Sequence, residues 1–369
     1  MCKMLFSDKS RPMKSLSRHP ALLFAGLIPI VFLIATARLM AEDQVPIQQK
    51  LKSMPFKIAY ESYVNDNWEI FVMNADGSGV VNLTQTPTEQ EHYPQISPDA
   101  TKICFAVDQG EGREAVRSLY LMDIDGKHRK KLVDKAREQF WSPDGKLIGF
   151  LPQEYSKFNV MDYYTKGMSF YDLATGKIEP HTNSANLHHL YNPSWSSNGK
   201  WIAATVHAGM GVGHAILLIE AHGDKIINLK IPGCRPCISP DSKQIAWGSG
   251  DHEIAAAALD LDSDEPAIKD WHLRIRDHTN EIYHVDWSPD SRFLSFSRGP
   301  ASKGDPNKPG TFQAACEIVG VYAPGWDLCA VPADRDGILD LNSPTNTDFF
   351  MLTTNGASNK ESAWFRAKH

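Results

Sequence analysis

Residues 141–146 read Trp141-Ser142-Pro143-Asp144-Gly145-Lys146, and this hexad recurs along the chain. Related copies are Ile96-Ser97-Pro98-Asp99, Trp195-Ser196-Ser197-Asn198-Gly199-Lys200, Ile238-Ser239-Pro240-Asp241-Ser242-Lys243 and Trp287-Ser288-Pro289-Asp290-Ser291-Arg292. Each copy is a turn by composition, because Asp and Asn side chains bond their own backbone and Gly accepts positive φ. A short β-prone run follows each copy: Ile103–Val107, Leu147–Leu151, Trp201–Val206, Gln244–Trp247 and Phe293–Ser297. After a variable loop comes a second run that ends in an Asp/Gly turn, as in Trp68–Gly77, Ser118–Gly126, Met168–Gly176 and Trp326–Asp334. A third run follows the turn, as in Val80–Thr84 and Phe350–Thr353. Runs of this length bounded by Gly, Pro, Asp and Ser are strand grammar, and no helical period appears after residue 56.

The motif serines fall at 97, 142, 196, 239 and 288, so one unit is about 50 residues long, the size of a four-stranded propeller blade. Five motifs give five innermost strands. The sixth is expected at the C-terminus, where Trp364 in Glu361-Ser362-Ala363-Trp364-Phe365 matches Trp141, Trp195 and Trp287. The first strand, Lys57-Ile58-Ala59-Tyr60, has no motif ahead of it. The fold expected is therefore all-β: a six-bladed β-propeller over residues 57–365, closed by the C-terminal strand joining the N-terminal blade, which removes open sheet edges.

These residues resemble the PD40, or TolB-like (WD40-like), β-propeller repeat family, on the (Trp/Ile)-Ser-Pro-Asp-Gly-Lys motif, the Asp-Gly turns and the Leu-Thr strands. The resemblance implies the propeller fold and says little about function. Only about fifteen residues separate the leader from the first strand, so the N-terminal domain of TolB is absent from the expectation, and its role and partner are not carried over.

The 38 Lys and Arg against 44 Asp and Glu give the chain a net charge of −6. Residues 1–41 hold six of those cations and only Asp8 as an acid, which leaves residues 42–369 with 32 against 43, a net of −11. Nucleic-acid affinity rests on neutralising phosphates, so nucleic acid is not an expected partner. The basic leader precedes a 17-residue apolar run, Ala21–Ala37, with small residues after it. This is the grammar of a secretory signal over residues 1–41, cleaved after Ala37 or Ala41; the alternative is an inner-membrane anchor formed by residues 20–37. Either way the body is expected in the periplasm. Residues 42–56 read as a linker, and residues 299–325 as a Gly/Pro-rich insertion, with a second excursion over 335–348.

Strand direction assigns the faces. The motif turns share one face; the loops entering the innermost strands, and those after each second strand, share the other. The loop face is expected to hold the ligand-binding residues: His92, Tyr93, Glu138, His188, Asn192, His207, Arg235, His284, Arg298, Lys360 and Glu361. The function expected is a non-catalytic, monomeric binding module for a cell-envelope protein or polysaccharide, with no cofactor and no metal. The alternative is a carbohydrate-active enzyme, a polysaccharide lyase or hydrolase, with a His-rich site in the channel.

Several motifs stop short. Cys234-Arg235-Pro236-Cys237 lacks the following His of haem attachment and the helix that supports redox thiolates; it reads as a local disulfide or two inert thiols. Cys316 and Cys329 flank the insertion and could bridge its base, while Cys104 reads as a buried apolar residue. Asp260–Glu265 begins like a calcium loop but has Glu265 where Gly is required and Trp271 where the bidentate Glu belongs. Gly209–Gly213 has no helix behind it to cradle a phosphate.

Overall fold

The motif serines nucleate the turns on which everything else hangs. In all five copies the serine hydroxyl donates to the acid or amide two residues on, at 2.6–2.7 Å, and accepts the backbone N–H five residues on, at 2.9–3.0 Å. Ala100, Gly145, Gly199, Ser242 and Ser291, each three residues after its serine, all have positive φ. The Asp-rich turns are thus structural hinges between an innermost strand and the next one outward, and each serine is buried.

The computed structural model describes residues 45–110, 116–153, 165–301, 325–344 and 347–368. Among them are six radial sheets. Blade 1 holds β1 (Phe56–Val64), β2 (Asn67–Asn74) and β3 (Val81–Asn82). Blade 2 holds β4 (Gln90–Ile96), β5 (Lys102–Gln109), β6 (Val116–Asp123) and β7 (Lys130–Asp134); blade 3 holds β8 (Ala136–Trp141), β9 (Leu147–Pro152), β10 (Ser169–Asp172) and β11 (Ile178–Pro180). Blade 4 holds β12 (Leu190–Trp195), β13 (Trp201–Gly209), β14 (Val212–Glu220) and β15 (Ile226–Asn228). Blade 5 holds β16 (Cys234–Ile238), β17 (Gln244–Gly250), β18 (Glu253–Asp260) and β19 (Ala267–Arg276), and blade 6 holds β20 (Glu281–Trp287), β21 (Phe293–Gly299), β22 (Asp327–Pro332) and β24 (Phe350–Met351).

Closure runs as the sequence predicts. The last strand, β25 (Ser358–Arg366), pairs antiparallel with β1 and places Trp364 opposite Ile58, giving blade 1 the order β25-β1-β2-β3. Trp364 packs with Ile58, Tyr60, Phe293 and Leu328 between blades 6 and 1. Similar apolar clusters fill the other blade interfaces.

Two features depart from the reading of the sequence. The stretch read as a linker carries α1 (Ile47–Lys52), whose Ile47 and Leu51 are buried in the same cluster as Trp364. The excursion over 335–348 is also used structurally: β23 (Leu339–Asp340) leaves blade 6 and pairs in parallel with the outer strand β19 of blade 5. Buried Leu339 fastens this fifth strand. Of the insertion 299–325, residues 302–324 lie outside the described residues, as does Cys316. No helix among the described residues is long and apolar enough to cross a membrane; the leader lies outside them.

Candidate functional site: the channel mouth

Each innermost strand is broken at the same place. Three residues before the motif Trp or Ile sits a residue with positive φ: Tyr93 (55°), Glu138 (49°), Asn192 (47°), Arg235 (55°), His284 (57°) and Glu361 (53°). The strand register shifts at each of these positions, which marks a β-bulge. A left-handed backbone costs a residue bearing Cβ roughly 1–2 kcal/mol, and only Asn192 and His284 are of types enriched there. Six such positions persist because neighbouring blades hold them, and that kind of over-determination clusters at ligand sites.

The holding contacts run round the whole ring. Tyr93 N donates to Glu61 Oε2 across blades 1 and 2 at 2.8 Å, and Gln139 Nε2 donates to the Tyr93 carbonyl across blades 2 and 3. Asn192 N donates to Glu138 Oε2 across blades 3 and 4; Arg235 N donates to Thr205 Oγ1 across blades 4 and 5 at 2.8 Å. The Arg235 guanidinium lies 4.5 Å over the Tyr283 ring of blade 6. His284 Nδ1 meets Glu361 Oε1 at 2.6 Å across blades 6 and 1. All six junctions are thus bridged at one level by the bulge residues or their immediate partners.

Around this ring the chemistry changes with direction. Between blades 1 and 2, Glu61 is fully buried, with Lys360 Nζ 3.5 Å from Oε1 and His92 Nδ1 3.5 Å from Oε2. Burial alone would push the Glu61 carboxyl up, but Lys360, His92 and the Tyr93 N–H outweigh it and hold it at about 2. Lys360, itself buried, also stacks 4.9 Å over Trp68. Between blades 5 and 6, burial raises the Asp286 carboxyl to about 6. That carboxylate accepts Trp364 N at 3.1 Å and the Cys237 thiol at 3.4 Å. At blades 3 and 4, Arg137 donates to Glu138 at 2.6 Å and lies 4.6 Å over the Tyr191 ring. Beyond it three imidazoles stack: His189 on His207 at 6.0 Å and His207 on His214 at 5.2 Å.

Of the eleven residues proposed from sequence, six are the bulge positions themselves. His92 and Lys360 belong to the buried group around Glu61. His207 lies in the imidazole stack, while His188 turns to the Ala185 carbonyl at 3.0 Å. Arg298 is committed at the rim, 2.6 Å from buried Asp277, which also caps Thr279 N and Asn280 N. Sequence reasoning passed over Glu61, Arg137, His214 and Asp286 as site residues. Glu61 had a signal: a lone acid in the strand Ile58-Ala59-Tyr60-Glu61-Ser62-Tyr63 reads as a buried charge that needs a partner.

Cys234 and Cys237 are separate thiols. Three steps along a strand span about 10 Å, beyond disulfide reach, and the two sulfurs are engaged differently. Cys234 Sγ accepts from Arg235 Nη1 at 3.3 Å, and Cys237 donates to Asp286; burial, and after it the Asp286 carboxylate, raises the Cys237 thiol well above the ordinary value. Cys329 is a buried free thiol. No group of three or more His, Cys, Asp or Glu among the described residues is placed to hold a metal ion. On the opposite face, a groove of about 780 Å³ between blades 2 and 3 is lined by motif-turn residues with Lys102, His128, Lys130 and Trp141.

No family model matches the chain, and no curated protein does. Solved structures do. The fold is similar to TolB from Acinetobacter baumannii, with a TM-score of 0.57 at 16% identity over 84% of this chain. It is also similar to the hydrazine synthase of Kuenenia stuttgartiensis (TM-score 0.53, 11% identity, 84% of this chain) and to a nidogen/laminin complex (0.52, 7%, 84%). The chain spans 66% of the TolB structure, 46% of the synthase and 98% of the matched chain of the complex. At these identities the likeness is one of fold, and it includes an enzyme beside proteins of other kinds.

Proposed function

We propose that this chain is an exported, monomeric β-propeller of the PD40/TolB-like repeat class. It recognises a cell-envelope protein or polymer at its channel mouth without transforming it. The observation that carries this reading is the ring of six left-handed bulge residues. Tyr93, Glu138, Asn192, Arg235, His284 and Glu361 present six positions on one level, five distinct side-chain chemistries among them, on a scaffold clamped at every junction. Such a rigid, chemically varied rim suits recognition of a shaped partner, since specificity comes from placed polar groups on a pre-formed surface. The polymer side of the reading keeps a carbohydrate-active enzyme in view, because the imidazole stack is a His-rich group at the same mouth.

Photo-crosslinking tests which face is used. A benzophenone amino acid at Asn192 is expected to give a discrete protein or glycan adduct in cells that express the full chain. The same probe at Lys243, in a motif turn on the other face, is expected to give none. Adducts from Lys243 with none from Asn192 would place recognition on the wrong side of the propeller.

A further inference from the structure

The three imidazoles of blade 4 are assembled from three chain segments. His189 precedes β12, His207 lies two residues before the end of β13 and His214 two residues after the start of β14; the last two face each other across a hairpin. Its turn residues, Met210 and Gly211, both have positive φ (57° and 78°), the geometry of a tight two-residue connection. Gly209 fixes the hairpin against the entrance of β12: a Cβ there would lie 2.7 Å from the His188 carbonyl oxygen. His189 is the buried end of the stack, its Nε2 2.9 Å from the Tyr191 hydroxyl, while His207 is half-buried and His214 exposed.

The charges acting on these rings are cationic. Burial lowers the His189 and His214 imidazoles; a hydrogen bond to the His207 backbone opposes this at His189, while the charges of His207 and Arg137 lower His189 and those of His207 and Arg235 lower His214. Arg137 has its own carboxylate, Glu138, which also accepts Asn192 N. This corner therefore gathers two guanidiniums and three imidazoles in a body of net charge −11. It is also narrow. Arg235, on its border, acts in addition on Glu281, and beyond it Tyr283 donates to Asp251 at 2.9 Å.

We propose that His207, His214 and Arg235 form a proton-linked subsite for a single carboxylate, presented by an acidic residue in a mixed-charge peptide segment of the ligand. The proposal deepens the reading of the mouth as the recognition face and rests on it. A peptide fits better than a polyuronate because a uniform polyanion would carry its next charges onto Glu281 and Asp251. Like charges at such range repel through a low-dielectric wall. Proton linkage sets the direction. Each imidazole that charges adds attraction for a carboxylate, and a bound carboxylate favours the charged ring. Because burial holds His189 and His214 below the ordinary histidine value, the gain comes as pH falls below about 6.5.

The test is histidine NMR on the full-length chain, using acetyl-Ala-Glu-Lys-amide and its Gln counterpart as probes, with the His214 signal identified by His214→Gln. The Glu peptide is expected to move the His214 titration midpoint to higher pH and to bind about fivefold more tightly at pH 5.5 than at 7.5. The Gln peptide should do neither, and Arg235→Gln should abolish the effect of the Glu peptide. Equal affinity at both pH values, an unmoved His214 signal, or an equal response to tetragalacturonate would each overturn the proposal. The crosslinking result at Asn192 reads the face independently, so failure of the subsite alone is distinguishable from failure of the face.

Discussion

Replacing Lys360 by methionine is expected to destabilise the protein by about 3–5 kcal/mol, measured by urea unfolding at pH 7. Lys360 pairs in register with Glu61 across β25 and β1, and both side chains are buried. Removing the ammonium leaves a carboxylate with only His92 and one backbone N–H to offset its desolvation. The sign is specific to a broken pair. Adding Glu61→Gln to Lys360→Met should restore at least half of the loss, because the stranded charge is then gone. The pH dependence follows from the depressed Glu61 carboxyl. Held at about 2 in the folded protein against an ordinary 4.5, it contributes stability that is complete above 4.5 and lost as pH falls toward 2. That acid-side loss should shrink in Lys360→Met. A loss below about 1 kcal/mol at pH 7 would mean that Lys360 is hydrated and the closure is held by other contacts.

Trp364→Ala is expected to cost a further kind of closure energy, about 3–5 kcal/mol, out of a total stability of about 5–15 kcal/mol for a typical domain. Trp364 packs on Ile58 and Phe293 and donates from Nε1 to Ser295 Oγ at 2.6 Å. Its backbone N–H donates to Asp286, so β25 is anchored to blade 6 as well as to blade 1. Alanine removes the ring and leaves buried Ser295 short of a donor. Truncating a motif tryptophan within one blade, such as Trp195→Ala, is expected to cost less: Trp195 bonds its own turn at Gly199 and is only half-buried. Equal losses in the two variants would argue that the terminal strand has no special place in holding the ring shut.

What could be read in advance followed from short-range chemistry. Ser142, Asp144 and Gly145 dictate a turn whatever surrounds them, and five copies at blade spacing fixed the count of innermost strands. Trp364 could be aligned because its neighbours repeat the pattern of Trp287. The left-handed bulges were not readable, since nothing in Tyr93, Arg235 or Glu361 favours positive φ; the conformation is imposed by neighbouring blades through contacts such as Glu61 to Tyr93 N. For the same reason the mouth residues could be collected into one face but not paired. Strand β23 escaped notice because two residues carry no period, and α1 because six residues with no side-chain cap give little helix signal. The cysteine spacing left a local disulfide and two separate thiols both open, because a strand separates residues that a turn would bring together, and spacing alone does not tell strand from turn.

The placement of all six bulge residues round one mouth depends on β25 completing blade 1. Hydrogen–deuterium exchange of the full-length chain, followed by mass spectrometry, reads that pairing directly. Peptides covering 57–63 and 358–366 should be protected to the same degree and lose protection together as urea is added, as one cooperative unit. Rapid exchange of 358–366 beside a protected 57–63 would show a loose tail on an open ring, and the shared mouth would not exist.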